Sequence, residues 1–126
     1  MATPLLVTAQ LDDPSPLPVG ALPYQRSALA AYEECASLQL RLSGSGTQTV
    51  HLGTLEGNTI VALFVEQDPS EVGDPISLVL NHATAGALTI PPGGFVLWSL
   101  SDSPQTTPTL EITHTTDAIV RVRAYG

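Results

Sequence analysis

The stretch of the sequence that most suggests a catalytic or ligand-binding loop is LTIPPGGFVLWSL, residues 88–100. A phosphate-holding loop needs glycines that lead into a helix N-terminus, usually with a Gly-Lys-Ser/Thr ending. Here the glycines lead into a strand-like run, and the chain contains no lysine. Proline favours the first central position of a type II turn, and glycine supplies the positive φ of the second. We therefore predict that Pro91, Pro92, Gly93 and Gly94 form a structural turn with Pro92 and Gly93 at its centre.

The other groups able to act as catalysts or metal ligands are scattered. His51, His82 and His114 lie on or beside different predicted strands, and none has a second His or Cys at ligand spacing. No Gly-x-Ser-x-Gly elbow accompanies the many hydroxyl groups. The loop at residues 68–74 offers three carboxylates without EF-hand spacing, which is more typical of a solvated loop than of a calcium site. We expect no catalytic residue, no metal and no cofactor.

Trp98 and Cys35 are two further single residues that could carry chemistry. Trp98 stands mid-strand between Val96 and Leu100, which indicates a core or interface position, although a tryptophan exposed in a groove can stack on a sugar. Cys35 is the chain's one cysteine, and two preceding carboxylates discourage a thiolate. We expect Cys35 to be a small buried apolar side chain.

Composition restricts the partners. A chain of 126 residues fits one domain, and its formal net charge of -8 includes only four arginines. Nucleic-acid affinity depends on clustered Lys and Arg, as does attraction to anionic lipid, so we expect neither partner. The first residues lack the basic region of a signal peptide, and no apolar run approaches the length of a membrane span. We expect synthesis in a cytoplasm.

The elements that must position these residues are β-strands from residue 36 onward. Apolar residues alternate with polar ones in runs of five to nine residues, separated by Gly, Pro, Asn and Asp at turn positions. About eight strands at this spacing are typical of a sandwich or barrel. We predict an all-β domain over residues 36–126, a β-sandwich with a jelly roll as one form. Within it, residues 109–115 are expected to pair with residues 118–125 across a short turn.

Residues 1–35 differ from the rest of the chain in their composition and residue pattern. The segment at residues 12–23 is rich in proline, which cannot serve a ladder, so we predict an extended arm. Three alanines after Ser27 favour one short helix over residues 27–35. The arm is apolar enough either to pack on its own domain or to add to the sheet edge of a partner. The residues predicted to contact that partner are Leu5, Leu6, Val7, Leu11, Leu17 and Tyr24.

The β-portion resembles small structural proteins of tailed-bacteriophage virions. Three stretches carry the resemblance: SLQLRLSGSGTQTVHLGTLEGNTIVALFV, PISLVLNHATAGALTIPPGGFVLWSL and TLEITHTTDAIVRVRAYG. They resemble Thr-rich β-sandwiches with a Pro-Gly-Gly segment before a late strand and an alternating strand at the end. The N-terminal arm looks like the extended arms of capsid decoration, or cement, proteins.

This resemblance implies a non-enzymatic protein that binds the outer shell of an icosahedral phage head and stabilises it. Its expected partner is the major capsid protein or another virion protein, with a homo-oligomer, such as a trimer, as the natural form. One alternative places the β-domain on the tail, collar or baseplate of the virion. Another is a carbohydrate-binding or adhesion module that uses Trp98, Tyr24 or Tyr125, which the aromatic content of 5% disfavours.

Overall fold

The computed structural model describes residues 2–11, 24–70, 73–81, 86–100 and 104–126. Within these ranges every regular element is a β-strand, apart from one 3-10 turn at Gly53–Leu55. The prediction of an all-β fold is therefore confirmed. The same ranges include no helix long and apolar enough to cross a membrane.

Eight of the strands form two antiparallel four-stranded sheets. The first sheet has the order β3-β12-β6-β9, with β3 at Cys35–Leu42, β12 at Ala118–Tyr125, β6 at Ala62–Gln67 and β9 at Phe95–Ser99. The second sheet has the order β4-β11-β7-β8, with β4 at Gly46–Val50, β11 at Leu110–His114, β7 at Ile76–Leu80 and β8 at Leu88–Ile90. Two further pairs complete the described strands: β1 at Thr3–Leu11 with β2 at Tyr24–Tyr32, and β5 at Thr59–Ile60 with β10 at Gln105–Thr106.

The eight strands of the two sheets follow a jelly-roll path. Along the chain, β3, β6, β9 and β12 belong to the first sheet, whereas β4, β7, β8 and β11 belong to the second. Apart from the hairpin β7–β8, each connection between consecutive strands of this set therefore crosses from one sheet to the other. Two layers of apolar inner faces result, which is the arrangement of a β-sandwich.

The predicted pairing of residues 109–115 with residues 118–125 is wrong. β11 pairs with β4 and β7, whereas β12 pairs with β3 and β6, so the short turn between them is a corner between sheets. Because β11 and β12 lie in different sheets, their apolar side chains pack against each other across the core. The corner is fixed by Asp117, whose carboxylate accepts a 2.6 Å hydrogen bond from the Gly44 amide, and by His114, whose Nδ1 donates to the Gly44 carbonyl at 2.7 Å.

The core lies between the two sheets. Val65, Val120 and Val122 from the first sheet face Leu110 and Ile112 from the second, and all five side chains are fully buried. Burying a side chain of this size stabilises the fold by about 1.5–3 kcal/mol. The alternation of burial along β11 and β12 places Ile112 and Val122 inward and their chain neighbours outward, as period two requires.

The predicted helix at residues 27–35 is also wrong, because residues 24–32 form the strand β2. β2 pairs with β1 along nine residues, from Thr3 opposite Tyr32 to Leu11 opposite Tyr24. Helix propensity is a weak preference that tertiary pairing overrides. The alternation of larger and smaller side chains through Leu29 and Ala30 fits a strand, with Leu29 exposed and Ala30 buried. Residues 12–23 of the predicted arm lie outside the described residues.

The base of this β1–β2 hairpin is held by the last residue. The Gly126 carbonyl accepts hydrogen bonds from the amides of Glu33 and Glu34, both at 2.8 Å, and the Gly126 amide donates to the Glu34 carbonyl at 2.9 Å. Beside them the rings of Tyr32 and Tyr125 meet edge to face with centroids 5.0 Å apart. We call these contacts the Gly126 clasp. Because of the clasp, the hairpin leaves the sandwich in a defined direction.

At the opposite end of β6, the buried side chain of Gln67 joins three segments. Its Oε1 accepts from the Ile76 amide and its Nε2 donates to the Asp74 carbonyl, each at 3.3 Å. Its own backbone bonds the turn at residues 91–94, accepting from Gly93 at 2.8 Å and donating to the Gly94 carbonyl at 3.1 Å. Gln67 is fully buried, and its side-chain amide supplies hydrogen bonds to the Ile76 amide and the Asp74 carbonyl in place of water.

We expect Gln67→Leu to lower the free energy of unfolding by about 2 kcal/mol, because it leaves the buried Ile76 amide and the part-buried Asp74 carbonyl without their partner. Urea unfolding followed by circular dichroism measures the change. Gln48→Leu, at an exposed position of β4, is the matched control and should change stability by less than about 0.5 kcal/mol. Equal losses of unfolding free energy in the two variants would show that the buried Gln67 amide contributes no more to stability than an exposed amide does.

Candidate functional site

The β1–β2 hairpin has two different faces. Leu5, Val7, Ala28 and Ala30 share the face that is turned toward the first sheet, and these side chains are buried or half-buried. The other face carries an apolar ridge, which we define as Leu6 together with Leu29, directly opposite each other across the strands. Their side chains are 63% and 64% exposed. A folded protein rarely leaves two adjacent leucines so exposed on a short hairpin, which makes the ridge a candidate contact surface.

The structure separates the residues predicted to contact a partner. Leu6 is exposed on the ridge, whereas Leu5 and Val7 lie on the inward face, where their own sheet covers them in part. Leu11 and Tyr24 form the last pair of the hairpin, and their side chains are outside the described part. Leu17 also lies outside the described residues. The sequence did not single out Leu29, whose partner Leu6 became evident only from the register.

The predicted turn residues lie together between β8 and β9. The Gly94 amide donates to the Pro91 carbonyl at 2.8 Å, so Pro92 and Gly93 occupy the two central positions. Gly93 has φ +81°, the left-handed conformation that a type II turn requires at that position. Since β8 and β9 belong to different sheets, this turn carries the chain from one layer of the sandwich to the other. In the described structure the role of this turn is therefore structural, namely to connect the two sheets.

A groove of about 400 Å³ runs between the inward face of the hairpin and the first sheet. We call it the hairpin groove. Its hairpin wall is apolar and is formed by Leu5, Leu6 and Val7. Its sheet wall mixes apolar side chains with charges of both signs, and the residues there include Phe64, Glu66, Leu97, Arg121, Arg123 and Tyr125. The groove can therefore accept apolar side chains while offering charged partners along one wall.

One wall of the groove is anchored by an ion-pair network around Arg121. Its guanidinium contacts the carboxylate of Asp68 at 2.5 Å and that of Glu66 at 3.5 Å, and its Nε donates to Gln39 Oε1 at 3.3 Å. Hydrogen bonds from the side chain and the backbone amide of Ser70, together with Arg121, lower the pKa of Asp68 to about 2. The contact with Asp68 raises the pKa of Arg121 above its usual value. Arg121 is therefore held in position.

The lowered pKa of Asp68 gives its contribution to stability a sign and a pH window. Since the folded-state pKa lies below the ordinary aspartate pKa of 3.8, ionised Asp68 stabilises the fold at neutral pH. That contribution is lost as pH falls from about 3.8 toward about 2. We expect Asp68→Asn to be less stable than the parent protein at pH 7 and the difference to shrink through this window.

Urea unfolding of the parent protein and Asp68→Asn across that range of pH tests the expectation. Glu33→Gln, which removes an exposed carboxylate from the base of the hairpin, is the control for the loss of one negative charge. A difference between parent and Asp68→Asn that stays constant down to pH 2 would contradict the role given to the Asp68 carboxylate.

The scattered catalytic and metal-binding candidates remain apart in the described residues. There, no group of three or more His, Cys, Asp or Glu side chains could hold a metal ion. His51 is exposed and contacts Glu56 at 3.3 Å, His114 is buried at the corner near Gly44, and His82 lies outside the described part. In the acidic loop, Asp74 accepts a hydrogen bond from the Thr115 hydroxyl at 2.9 Å, while Glu71 is outside the described residues.

Two aromatic residues of the carbohydrate alternative, Trp98 and Tyr125, are poorly placed for stacking on a sugar, and the side chain of the third, Tyr24, lies outside the described part. Trp98 is half-buried, and it packs against the core from β9 with its side chain on the inner face. The ring of Tyr125 packs edge to face with the ring of Tyr32 in the Gly126 clasp. Among the side chains that the structure describes, the aromatic one with the greatest exposure is instead Phe95, 64% exposed on the outer face of β9. Cys35, expected to be buried, is exposed at the start of the edge strand β3.

Comparisons with known proteins add little to this geometry. No family model and no curated protein matches the chain. A chain from the Bacillus endospore appendages, described as a novel family of disulfide-linked pili, aligns with 76% of this chain and 94% of its own length. The identity is 10% and the TM-score is 0.37. At so low a TM-score the alignment carries no argument about function.

Proposed function

We propose that this chain is a non-enzymatic structural protein that acts by binding another protein through its hairpin. The observation that carries the proposal is the apolar ridge of Leu6 and Leu29, presented outward on a hairpin whose base is fixed by the Gly126 clasp. A ridge held in a fixed direction loses little conformational freedom on binding, so its buried area contributes more fully to affinity. The sandwich behind it serves as the rigid support.

More specifically, we propose a decoration protein of a tailed-bacteriophage head. The support for this step is the resemblance of residues 36–126 to virion β-sandwiches, together with a jelly-roll domain that carries an N-terminal apolar projection. The partner would be the major capsid protein, and the protein would reach the virion after synthesis in the host cytoplasm. Many weakly bound copies stabilise a shell collectively, because each added contact works at high effective concentration. A homo-oligomer, such as a trimer, would increase that effect.

The test mixes the purified protein with empty shells assembled from the major capsid protein of the same genome. We expect co-sedimentation with the shells and a rise in the temperature at which they melt, because binding to the intact shell stabilises it. Neither binding nor a melting shift would overturn the capsid proposal. Binding to purified tails instead of shells would transfer the function to the tail alternative.

We expect Leu6→Ser together with Leu29→Ser to weaken shell binding by about tenfold or more, since each lost leucine contact is worth about 1–2 kcal/mol. Leu88→Ser is the matched control, because Leu88 is an exposed leucine, 39% exposed, on β8 of the other sheet. Quantitative co-sedimentation over a range of concentrations gives the affinities. If the control weakens binding as much as the ridge variant, the hairpin is not the attachment surface.

A further inference from the structure

All four positive side chains of this acidic protein lie on one side of the molecule. Arg41 on β3 and Arg121 and Arg123 on β12 point outward from the first sheet, since they alternate with the buried residues of these strands. Arg26 lies on the hairpin face that is turned toward the same sheet, opposite Ala9. We call this surface the arginine face. The chain as a whole has a formal net charge of -8, because its 12 carboxylates outnumber these four arginines.

We propose that the arginine face and the hairpin groove together bind an extended segment of a partner protein in which acidic and apolar side chains alternate. The inference rests on the proposed function only in taking the partner to be a protein. It assigns the chemistry of that partner and a second contact surface, on the side of the hairpin that is turned toward the first sheet.

The charges of this surface are available for a partner. The side chains of Arg26, Arg41 and Arg123 form no hydrogen bond or ion pair with the described residues, whereas that of Arg121 is engaged by Asp68 and Glu66. Arg26 and Arg123 each line a hollow beside the hairpin. A guanidinium binds a carboxylate through paired hydrogen bonds, and it does so most strongly where water is partly excluded.

The apolar part of the site lies between these arginines. Arg123 lines the hairpin groove of about 400 Å³, and Arg26 lines a neighbouring hollow of about 250 Å³ that shares Val7 and Leu97 with it. On the outer surface of the sheet, the ring of Phe64 in the groove wall lies with its centroid 5.8 Å from that of Phe95. Arginine and exposed aromatic side chains in proximity are the composition that protein interfaces favour.

The shape and charge of the surface select the kind of segment. Successive side chains of an extended strand point to opposite sides, so every second residue can enter the groove while the residues between them face its rim. Apolar residues fit the wall formed by Leu5, Val7 and Leu97, and carboxylates at the rim meet Arg26 and Arg123. A basic segment would meet the same arginines with repulsion. The match is therefore to an acidic strand.

The experiment titrates the full chain, labelled for NMR, with three synthetic ten-residue peptides. One alternates Leu and Glu, one alternates Leu and Lys, and one alternates Ser and Glu. We expect the Leu-Glu peptide to shift the signals of Leu97 and Val7, with an affinity that falls at least severalfold between low and high salt. We expect the other two peptides to bind at least tenfold more weakly, since each lacks one of the two required chemistries.

Variants locate the binding on the arginine face. Arg26→Gln with Arg123→Gln should reduce the affinity for the Leu-Glu peptide about tenfold, and Arg26→Lys with Arg123→Lys should restore most of it. Ser45→Glu with Thr54→Glu is the control, because it changes the net charge by the same amount at exposed positions outside the arginine face. Loss of affinity in this control to the same extent would show that net charge, and not the arginine face, determines binding.

Absence of binding by the Leu-Glu peptide, or equal binding by the Leu-Lys peptide, would overturn the inference. These results are distinguishable from failure of the proposed function, which is read from shells. Shell binding that persists in Arg26→Gln with Arg123→Gln, without peptide binding by the parent protein, would leave the proposed function standing and remove this inference. Peptide binding without shell binding would do the reverse.

Discussion

The Gly126 clasp is the constraint on which the arrangement of both candidate surfaces depends. A two-stranded hairpin is marginally stable alone in water, and this one gains its support at its base and along one face. Three backbone hydrogen bonds and the contact of Tyr32 with Tyr125 fix where β2 ends and β3 begins. Because the base is fixed, Val7 faces the sheet while Leu6 faces outward.

The sandwich supplies the rigidity that the clasp requires. The strand that ends at the clasp, β12, is a central strand, and its inward valines are fully buried. At the far end of β6, Gln67 joins the turn at residues 91–94 to the beginning of β7, so both ends of the layer are closed by hydrogen bonds. The same alternation that buries one side of β12 places Arg121 and Arg123 on the other. Burial and the position of the charges therefore have one cause.

Period-two alternation made much of this fold predictable from sequence. The strands around Leu40, Leu78 and Val122 lie where their patterns indicate, because each must bury one face. Two expectations failed for a shared reason, since local signals do not reveal which strand lies beside which. The alanines around Ala30 predicted a helix, but this segment forms a strand that pairs with β1. The turn before β12 suggested a hairpin, although both neighbouring strands find partners elsewhere. Leu29 and the arginine face likewise required the register.

The central claim is that the hairpin lies on the first sheet with Val7 inward and the ridge of Leu6 and Leu29 outward. Methyl NOE spectroscopy of the full chain in solution tests this claim most directly. We predict NOEs between the methyl groups of Val7 and Leu97, which line the same hollow, and none between those of Leu29 and Leu97. NOEs from Leu29 in place of Val7, or the absence of any contact between hairpin and sheet, would contradict the account.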